Sequence, residues 1–154
     1  MKKIAFGFLI ALALEVLPLP TWAAPARPAW VIALLVFWCL QAPQRVNIGA
    51  AFLLGIALDV FKGTLLGQHA LALVLVAFIA ARFHLQMRVF PLWQQSTAVG
   101  LLVMLAGALL WWTDGMSGQQ HALILRVPTA FVTALLWPWL SEFVRSRSRR
   151  AEAL

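Results

Sequence analysis

The chain has 154 residues, of which 63% are hydrophobic and 11% charged, and its mean hydropathy is +0.89. A soluble domain of this size has too little interior to bury so much apolar surface, so the composition excludes a soluble globular protein and predicts an integral membrane protein. The net charge of +7 lies mostly at the chain ends and in short loops, a pattern that indicates membrane topology rather than nucleic-acid binding. The single cysteine, Cys39, excludes a disulfide within the chain.

The first apolar segment, residues 4–19, follows Met1-Lys2-Lys3 and resembles a secretory signal. Residues 21–24 resemble a cleavage site, but Glu15 lies late in the apolar run and Trp22 is bulky for such a site. We therefore favour a retained first helix over a cleaved signal. The loop that follows is rich in proline and is expected to be stiff and extended.

Five further apolar segments, together with the first, predict an all-α bundle of about six transmembrane helices in a single domain. The predicted spans cover residues 4–19, 30–41, 46–61, 65–83, 98–112 and 123–144. The second span is short for a hydrocarbon core of about 30 Å, so it must borrow flanking residues or have its ends covered. Polar connections are expected at residues 82–95 and 113–120.

The basic residues are distributed unevenly between the two sides of this map. Nine fall on one side: Lys2, Lys3, Arg45, Arg82, Arg88, Arg145, Arg147, Arg149 and Arg150. Three fall on the other: Arg27, Lys62 and Arg126. The positive-inside rule then predicts that both chain ends are cytoplasmic. Tryptophans near the predicted span ends are typical of an aromatic belt at the membrane surface.

The most informative stretch is residues 55–67, where Gly55, Asp59, Gly63 and Gly67 recur at every fourth position. On a helix, Ala51, Gly55 and Asp59 share one face, and small residues there allow a second helix to approach closely. Gly63 and Gly67 predict a tight turn that needs positive φ or close backbone approach. A carboxylate within a span is costly, so Asp59 is either functional or an ordinary interfacial aspartate.

We expect the Asp59 side chain to be satisfied without being buried as a bare charge. The expected partners are a backbone amide at the Gly63 turn, the Lys62 side chain, or a cation supplied by Arg27 or Arg126.

The sequence contains no His-Glu-x-x-His, no Gly-x-Ser-x-Gly and no phosphate-binding glycine loop. The three histidines, His69, His84 and His121, are predicted to lie in separate loops. His69 and His121 share one side, either as interfacial residues or as a shared metal or proton site. No spacing brings two carboxylates together for acid–base catalysis. We therefore expect no enzyme activity and no cofactor.

Several motifs together resemble the rod shape-determining protein MreD family over nearly the whole chain. They are residues 27–30 (Arg-Pro-Ala-Trp), residues 37–40 and 42–49, the Gly55/Asp59/Gly63/Gly67 series, residues 92–95 (Leu-Trp-Gln-Gln) and residues 136–139 (Leu-Trp-Pro-Trp). The departures are Glu15, where an uncharged residue is usual, and a short, proline-rich first loop.

The resemblance implies a non-enzymatic inner-membrane subunit of the bacterial cell-elongation machinery, which maintains rod shape and supports peptidoglycan synthesis. The implied partners are an MreC-type periplasmic bitopic protein, the actin-like MreB filament, an elongation-specific transpeptidase and glycosyltransferase, and membrane lipid. Candidate packing and partner-binding residues are Arg27, Pro28, Trp30, Pro43, Arg45, Gly55, Asp59, Gly63, Gly67, Trp93 and Gln94.

The fold implied by the resemblance is similar to the six-helix substrate-binding subunits of energy-coupling-factor transporters. That similarity supports an alternative, a small-molecule-binding membrane subunit of a transporter. Such subunits commonly carry an Ala-x-x-x-Ala pair in the first helix for docking to their coupling protein. Here the first-helix alanines Ala5, Ala11 and Ala13 are not four residues apart, so the sequence favours the cell-shape subunit.

Overall fold

A computed structural model describes residues 2–17, 20, 26–116, 118 and 123–152. These residues form seven α-helices and one short 3-10 helix, with no strand among them. The helices are α1 (Lys2–Val16), α2 (Trp30–Gln41), α3 (Ile48–Lys62), α4 (Gln68–Arg82), α5 (His84–Val89), α6 (Leu92–Met116) and α7 (Val127–Glu152), with the 3-10 helix at Leu123–Arg126. The described part of the chain is therefore all-α, as the sequence predicts.

Each predicted span overlaps one longer helix, and α5 is an additional helix inside the polar connection predicted at residues 82–95. The fifth span was predicted to start at residue 98, and the helix that contains it, α6, begins at Leu92. The Pro91 carbonyl accepts hydrogen bonds from the amides of Gln94 and Gln95, which extends the helix through this polar segment. Trp93 and Gln94 thus lie in the first turn of α6 rather than in a loop.

Two of the three histidines also lie in helices rather than in loops. His69 is the second residue of α4, and His84 is the first residue of α5. At the far end of α6, Asp114 is helical, although we expected the connection to begin at residue 113. His121 and the cleavage-like residues 21–24 lie outside the described residues.

The short helix α2 lies at the centre of the bundle. It is apolar on all sides, and Val31, Leu35, Val36 and Cys39 are each almost fully buried. Twelve residues of α-helix measure about 18 Å, well below the thickness of a bilayer core. Neighbouring helices α1, α4, α5 and α7 pack around α2, so protein rather than lipid covers most of its surface. The side-chain hydroxyl of Thr133 on α7 accepts a hydrogen bond from the Ala29 amide, at the start of α2.

Contacts between helix termini divide the bundle into two ends. Lys62 pairs with Glu15, and the side-chain amide of Gln68 donates a hydrogen bond to the Asp114 carboxylate. The last turns of α1, α3 and α6 therefore meet the first turn of α4. We call this the latch end. At the opposite end, Arg88 of α5 bonds to Gln41 at the end of α2. We call the opposite end, with α5 and the last turns of α2, α4 and α7, the basic end.

Among the residues that the structure describes, two helices are long and apolar enough to cross a membrane, by length and composition: Leu92–Met116, and the Val127–Val144 part of α7. The shorter apolar helices are Ile4–Val16, Trp30–Gln41 and Gln68–Arg82. Large apolar side chains are exposed along the outside of the bundle, including Leu53, Phe131 and Trp139. This outer surface is compatible with lipid contact, because a protein in water rarely exposes such a large apolar area.

Candidate functional site

The candidate site is the connection between α3 and α4, at the latch end of the bundle. Asp59 lies in the last turn of α3 and is only 1% exposed. It shares a buried face with Ala51 and Gly55, as the four-residue spacing predicts. Contrary to our expectation for a residue at a span end, the carboxylate is enclosed by protein.

Four hydrogen-bond donors surround the Asp59 carboxylate. Oδ1 accepts from the hydroxyl of Thr64 at 2.9 Å, from the backbone amide of His69 at 2.9 Å and from the His69 ring Nδ1 at 2.7 Å. Oδ2 accepts from the backbone amide of Gly67 at 2.8 Å. A buried carboxylate is tolerated when donors satisfy it in this way, and the arrangement matches an ionised group. We call Asp59, Gly63, Thr64, Gly67 and His69 the Asp59 latch.

The latch also supplies hydrogen-bond partners for backbone groups at two helix termini that have none within their own helix. The Gly67 and His69 amides belong to the first turn of α4, where backbone N–H groups have no partner within the helix. Asp59 supplies both a hydrogen-bond acceptor and a negative charge there, which is favourable at a helix N-terminus. Its own carbonyl accepts the amides of Gly63 and Thr64 and so ends α3.

The backbone of the turn requires glycine at two positions. Gly63 has φ 64° and Gly67 has φ 101°, both in the left-handed region that other residues adopt only with strain. The positive φ that the sequence suggested is therefore present at both glycines. Open space surrounds each α-carbon, so backbone conformation rather than crowding selects glycine here.

Gly55 is required for a different reason, close helix packing. A Cβ atom at this position would lie 2.1 Å from the Ala70 Cα and 2.5 Å from the Ala70 backbone nitrogen. Atoms that are not bonded cannot approach so closely, and the obstacle is backbone, which cannot rotate away. The absence of a side chain at Gly55 brings α4 close enough for its first turn to reach Asp59.

The chemistry of the latch is that of a structural lock. An ionised carboxylate only accepts hydrogen bonds, so the His69 ring must donate its Nδ1–H to Asp59. Because Nδ1 carries a hydrogen, it does not accept a hydrogen bond from the nearby Thr64 hydroxyl. The Thr64 hydroxyl donates to Asp59 instead. Among the described residues, no group of three or more His, Cys, Asp or Glu side chains is placed to hold a metal ion.

Two ion pairs lie beside the latch and involve the cations that we expected near Asp59. Lys62 Nζ is 3.4 Å from Glu15 Oε1, and Arg126 is 2.5 Å from Asp114 Oδ2. Arg27 donates to the backbone carbonyls of Glu15 and Leu17. The expected pairing of Asp59 with Lys62, Arg27 or Arg126 is therefore wrong, because each of these cations has a partner of its own.

The other candidate residues separate between the two ends. Pro28 and Trp30 are half-buried near the latch end, at the start of α2. At the basic end, Arg45 is exposed in the turn after α2, Pro43 is half-buried in the same turn, and Trp93 is 69% exposed. The structure thus brings Gly55, Asp59, Gly63 and Gly67 into one site and places Arg45, Pro43, Trp93 and Gln94 far from it.

Sequence reasoning missed the polar residues whose partners come from distant parts of the chain. Gln95 is buried, donates to the Phe90 carbonyl at 3.0 Å and accepts from the Trp137 ring at 3.4 Å. Thr64 and His69 follow Asp59 by five and ten residues. The sequence feature that could have pointed to Thr64 and His69 is a hydroxyl and an imidazole on either side of Gly67, at the start of an apolar helix.

Comparison with known proteins gives consistent results. A family model described as "rod shape-determining protein MreD" matches residues 3–147. A curated relative, the rod shape-determining protein MreD of Haemophilus influenzae, is 34% identical over 145 residues, which cover 94% of this chain and 90% of the relative. No solved structure matches the chain. The family match includes the Asp59 latch and, at the basic end, helix α5.

Proposed function

The chain belongs to the MreD family of rod shape-determining membrane proteins, and we propose that it acts as a non-enzymatic scaffold of the cell-elongation complex in the bacterial inner membrane. In this role the protein holds partners in place during side-wall peptidoglycan synthesis and does not itself turn over a substrate. Its effect on cell shape then depends on a correctly assembled helix bundle.

The observation that carries this proposal is that buried polar side chains form hydrogen bonds that join one helix to the next. Asp59, Gln95 and Thr133 are buried, and each is hydrogen-bonded to a neighbouring helix or connection. A buried polar group in an apolar bundle is costly unless it is satisfied, and here satisfaction comes from the fold itself. These groups position helices, which is what a scaffold needs, and the Asp59–His69 pair uses its hydrogen bond to join α3 to the first turn of α4.

We propose that the basic end faces the cytoplasm and that the chain crosses the membrane six times, with both termini inside. The latch end carries equal numbers of opposite charges: Arg27, Lys62 and Arg126 with Glu15, Asp59 and Asp114. The other nine basic residues and the remaining two acids, Glu142 and Glu152, belong to the basic end, which thus holds the whole net charge of +7. The positive-inside rule favours this orientation.

In this orientation the Asp59 latch lies at the periplasmic surface and α5 at the cytoplasmic surface. The latch end is then placed to meet an MreC-type periplasmic bitopic protein, with Arg27, Pro28 and Trp30 beside it. The basic end is placed to meet the actin-like MreB filament, with Arg45 beside Pro43. The elongation-specific transpeptidase and glycosyltransferase would contact the exposed apolar sides of the helices, which carry large side chains such as Leu53 and Phe131.

Complementation combined with copurification tests the scaffold proposal. The tagged chain is expressed in a rod-shaped bacterium whose own MreD-family gene is deleted, and membranes are extracted in mild detergent. We expect rods to be restored and elongation proteins to copurify with the chain. Processing of a lipid-linked cell-wall precursor by the purified chain alone would refute a scaffold role.

Reporter fusions test the orientation separately. A reporter that is active only in the cytoplasm, fused after Leu154, should be active, and the same reporter inserted after Gly118 should be silent. A periplasm-specific reporter should give the opposite pattern. Periplasmic activity at Leu154 would mean an odd number of spans.

A further inference from the structure

The short helix α5 exposes apolar side chains at the basic end of the bundle. Its residue Met87 is buried against the core, which fixes how the helix is rotated. Leu85 is then 66% exposed and Val89 84% exposed, and Phe83 and Phe90 on either side are exposed as well. An apolar surface of this kind on a connection between helices is unfavourable in water and favourable at the edge of a bilayer.

The length of α6 places α5 at the level of the lipid headgroups. A helix of 25 residues is about 37 Å long, which exceeds a hydrocarbon core of about 30 Å. At the usual tilt of about 20° the helix still spans about 35 Å along the membrane normal, so one or both ends of α6 project into the headgroup region. Trp93, in its first turn, is 69% exposed, and tryptophan concentrates at that depth. Only Phe90 and Pro91 separate α5 from α6, so α5 lies at the same depth.

Cations flank the apolar side chains of α5. Arg82 at the end of α4, Arg88 on α5 and Arg45 in the turn after α2 are all exposed. Arg88 contacts the Gln41 carbonyl at 3.3 Å and its side-chain oxygen at 3.5 Å, through one nitrogen of a guanidinium that carries five N–H donors. The ion pairs found among the described residues all lie at the latch end. These three arginines therefore present positive charge to the surroundings.

We propose that α5 is an interfacial anchor that lies in the membrane surface and binds anionic phospholipid. Leu85 and Val89 enter the acyl boundary, and Arg82 and Arg88 donate hydrogen bonds to lipid phosphates. Guanidinium groups suit this task, because their N–H donors match the geometry of phosphate oxygens. The proposal depends on the membrane location of the chain and not on the scaffold role, so the two can fail separately.

Depth-dependent quenching tests the apolar part of the proposal. An environment-sensitive fluorophore is attached to Val89→Cys, and to Ser146→Cys as a matched control, which is also exposed but lies beyond the apolar part of α7. Cys39 is fully buried, so the introduced cysteine is the reactive one. In vesicles, the label at residue 89 should be quenched by lipids carrying a quencher in the acyl chain and protected from iodide. The label at residue 146 should show the reverse.

Lipid preference tests the charged part. Purified protein is reconstituted in phosphatidylcholine containing increasing phosphatidylglycerol, and the relative affinity for the two lipids is measured. Each of Arg82→Gln and Arg88→Gln should reduce the preference for phosphatidylglycerol by about fivefold, which corresponds to about 1 kcal/mol per arginine. Lys62→Gln, at the latch end, should leave that preference unchanged.

Two results would overturn the proposal. One is a label at residue 89 that iodide reaches as easily as at residue 146, which would leave α5 in water as a surface for an acidic protein partner. The other is an unchanged lipid preference in the double variant Arg82→Gln/Arg88→Gln. Thermal unfolding of the variants in detergent separates either result from misfolding.

Discussion

At the latch end, the chain supplies a partner for each of its own charges. Lys62 and Arg126 are paired with carboxylates, Arg27 is bonded to backbone carbonyls, and the Asp59 carboxylate has four donors. At the basic end, Arg82 and Arg45 are exposed. Internally paired charges hold helix ends together, whereas exposed charges are available to lipids and partners. Substitutions at the latch end should therefore damage the fold, and substitutions at the basic end should damage interactions while the fold persists.

The largest effect is expected for Asp59→Leu. This change removes all four carboxylate hydrogen bonds and leaves the partly buried amides of Gly67 and His69 without this acceptor. Each orphaned donor costs about 1–3 kcal/mol, so the variant should lose about 3 kcal/mol or more. Thermal unfolding in detergent measures the loss, and cells carrying the variant should be round.

Asp59→Asn separates hydrogen bonding from charge at the same position. With its oxygen at the Oδ1 position, asparagine keeps three acceptor contacts and turns an NH₂ group toward the Gly67 amide. We expect an intermediate loss of about 1–2 kcal/mol and near-normal rods. If Asp59→Leu were present at normal abundance, unfolded at the wild-type temperature and gave rod-shaped cells, the Asp59 hydrogen bonds would not stabilise the latch end. The difference between the two ends would then be contradicted.

The next largest effect is expected for Gly55→Ala. A single methyl group would overlap the Ala70 backbone and force α3 and α4 apart. Overpacking against backbone should cost about 3 kcal/mol, the upper part of the usual range. Gly7→Ala is the matched control, because its Cβ would meet only a Leu34 methyl at an ordinary 3.4 Å. Equal melting temperatures for these two variants would show that α3 and α4 are not in tight contact.

A smaller effect is expected for Gly63→Ala. The φ of 64° forces a β-carbon into a strained conformation, at a cost of about 1–2 kcal/mol. Gly63→Asn should recover part of this loss, since asparagine tolerates the left-handed region better than alanine. Unfolding temperatures of the two variants should therefore rank asparagine above alanine. The opposite order would indicate that crowding rather than φ selects glycine at this position.

The smallest effect is expected for Glu15→Gln. The pair with Lys62 is partly exposed, and the second oxygen of Glu15 is buried without a hydrogen-bond partner in the described part of the chain. Such pairs contribute less than about 1 kcal/mol, and the glutamine side chain keeps the volume of the residue. The melting temperature should shift only slightly. A loss of stability as large as that of Asp59→Leu would show that the contact between α1 and α3 contributes as much to the stability of the latch end as the Asp59 hydrogen bonds do.

The sequence was sufficient to predict the six longer helices but not α5, and it also predicted the four-residue stripe and the glycine turn, because each of these depends on local spacing or on backbone conformation. Gly55 and Asp59 share a face for purely geometric reasons, and the positive φ at Gly63 follows from its place just after a helix. The rod-shape family could also be predicted from the sequence and is confirmed by the family match and the curated relative. The number of membrane crossings and the role of each candidate residue stay predictions.

The partners of buried polar residues could not be predicted, because they come from elsewhere in the chain. The first turn of α6 contains glutamines and so had the composition of a connection, yet Gln95 is buried against Trp137 of α7. Likewise, Lys62 is closer to Asp59 in sequence than His69 is, but it points to Glu15 of α1. Spacing along one helix says which residues share a face, and it does not say which other helix covers that face.

The Asp59 latch also has a consequence for how the chain enters the membrane. Every donor to the carboxylate lies after it in sequence, and the last, His69, follows by ten residues. During synthesis, α3 is therefore complete while the Asp59 carboxylate still lacks its hydrogen-bond donors. A helix carrying an unsatisfied carboxylate is a poor substrate for insertion by itself. Insertion of α3 and α4 as a single hairpin, closed by the turn between them, would avoid that intermediate.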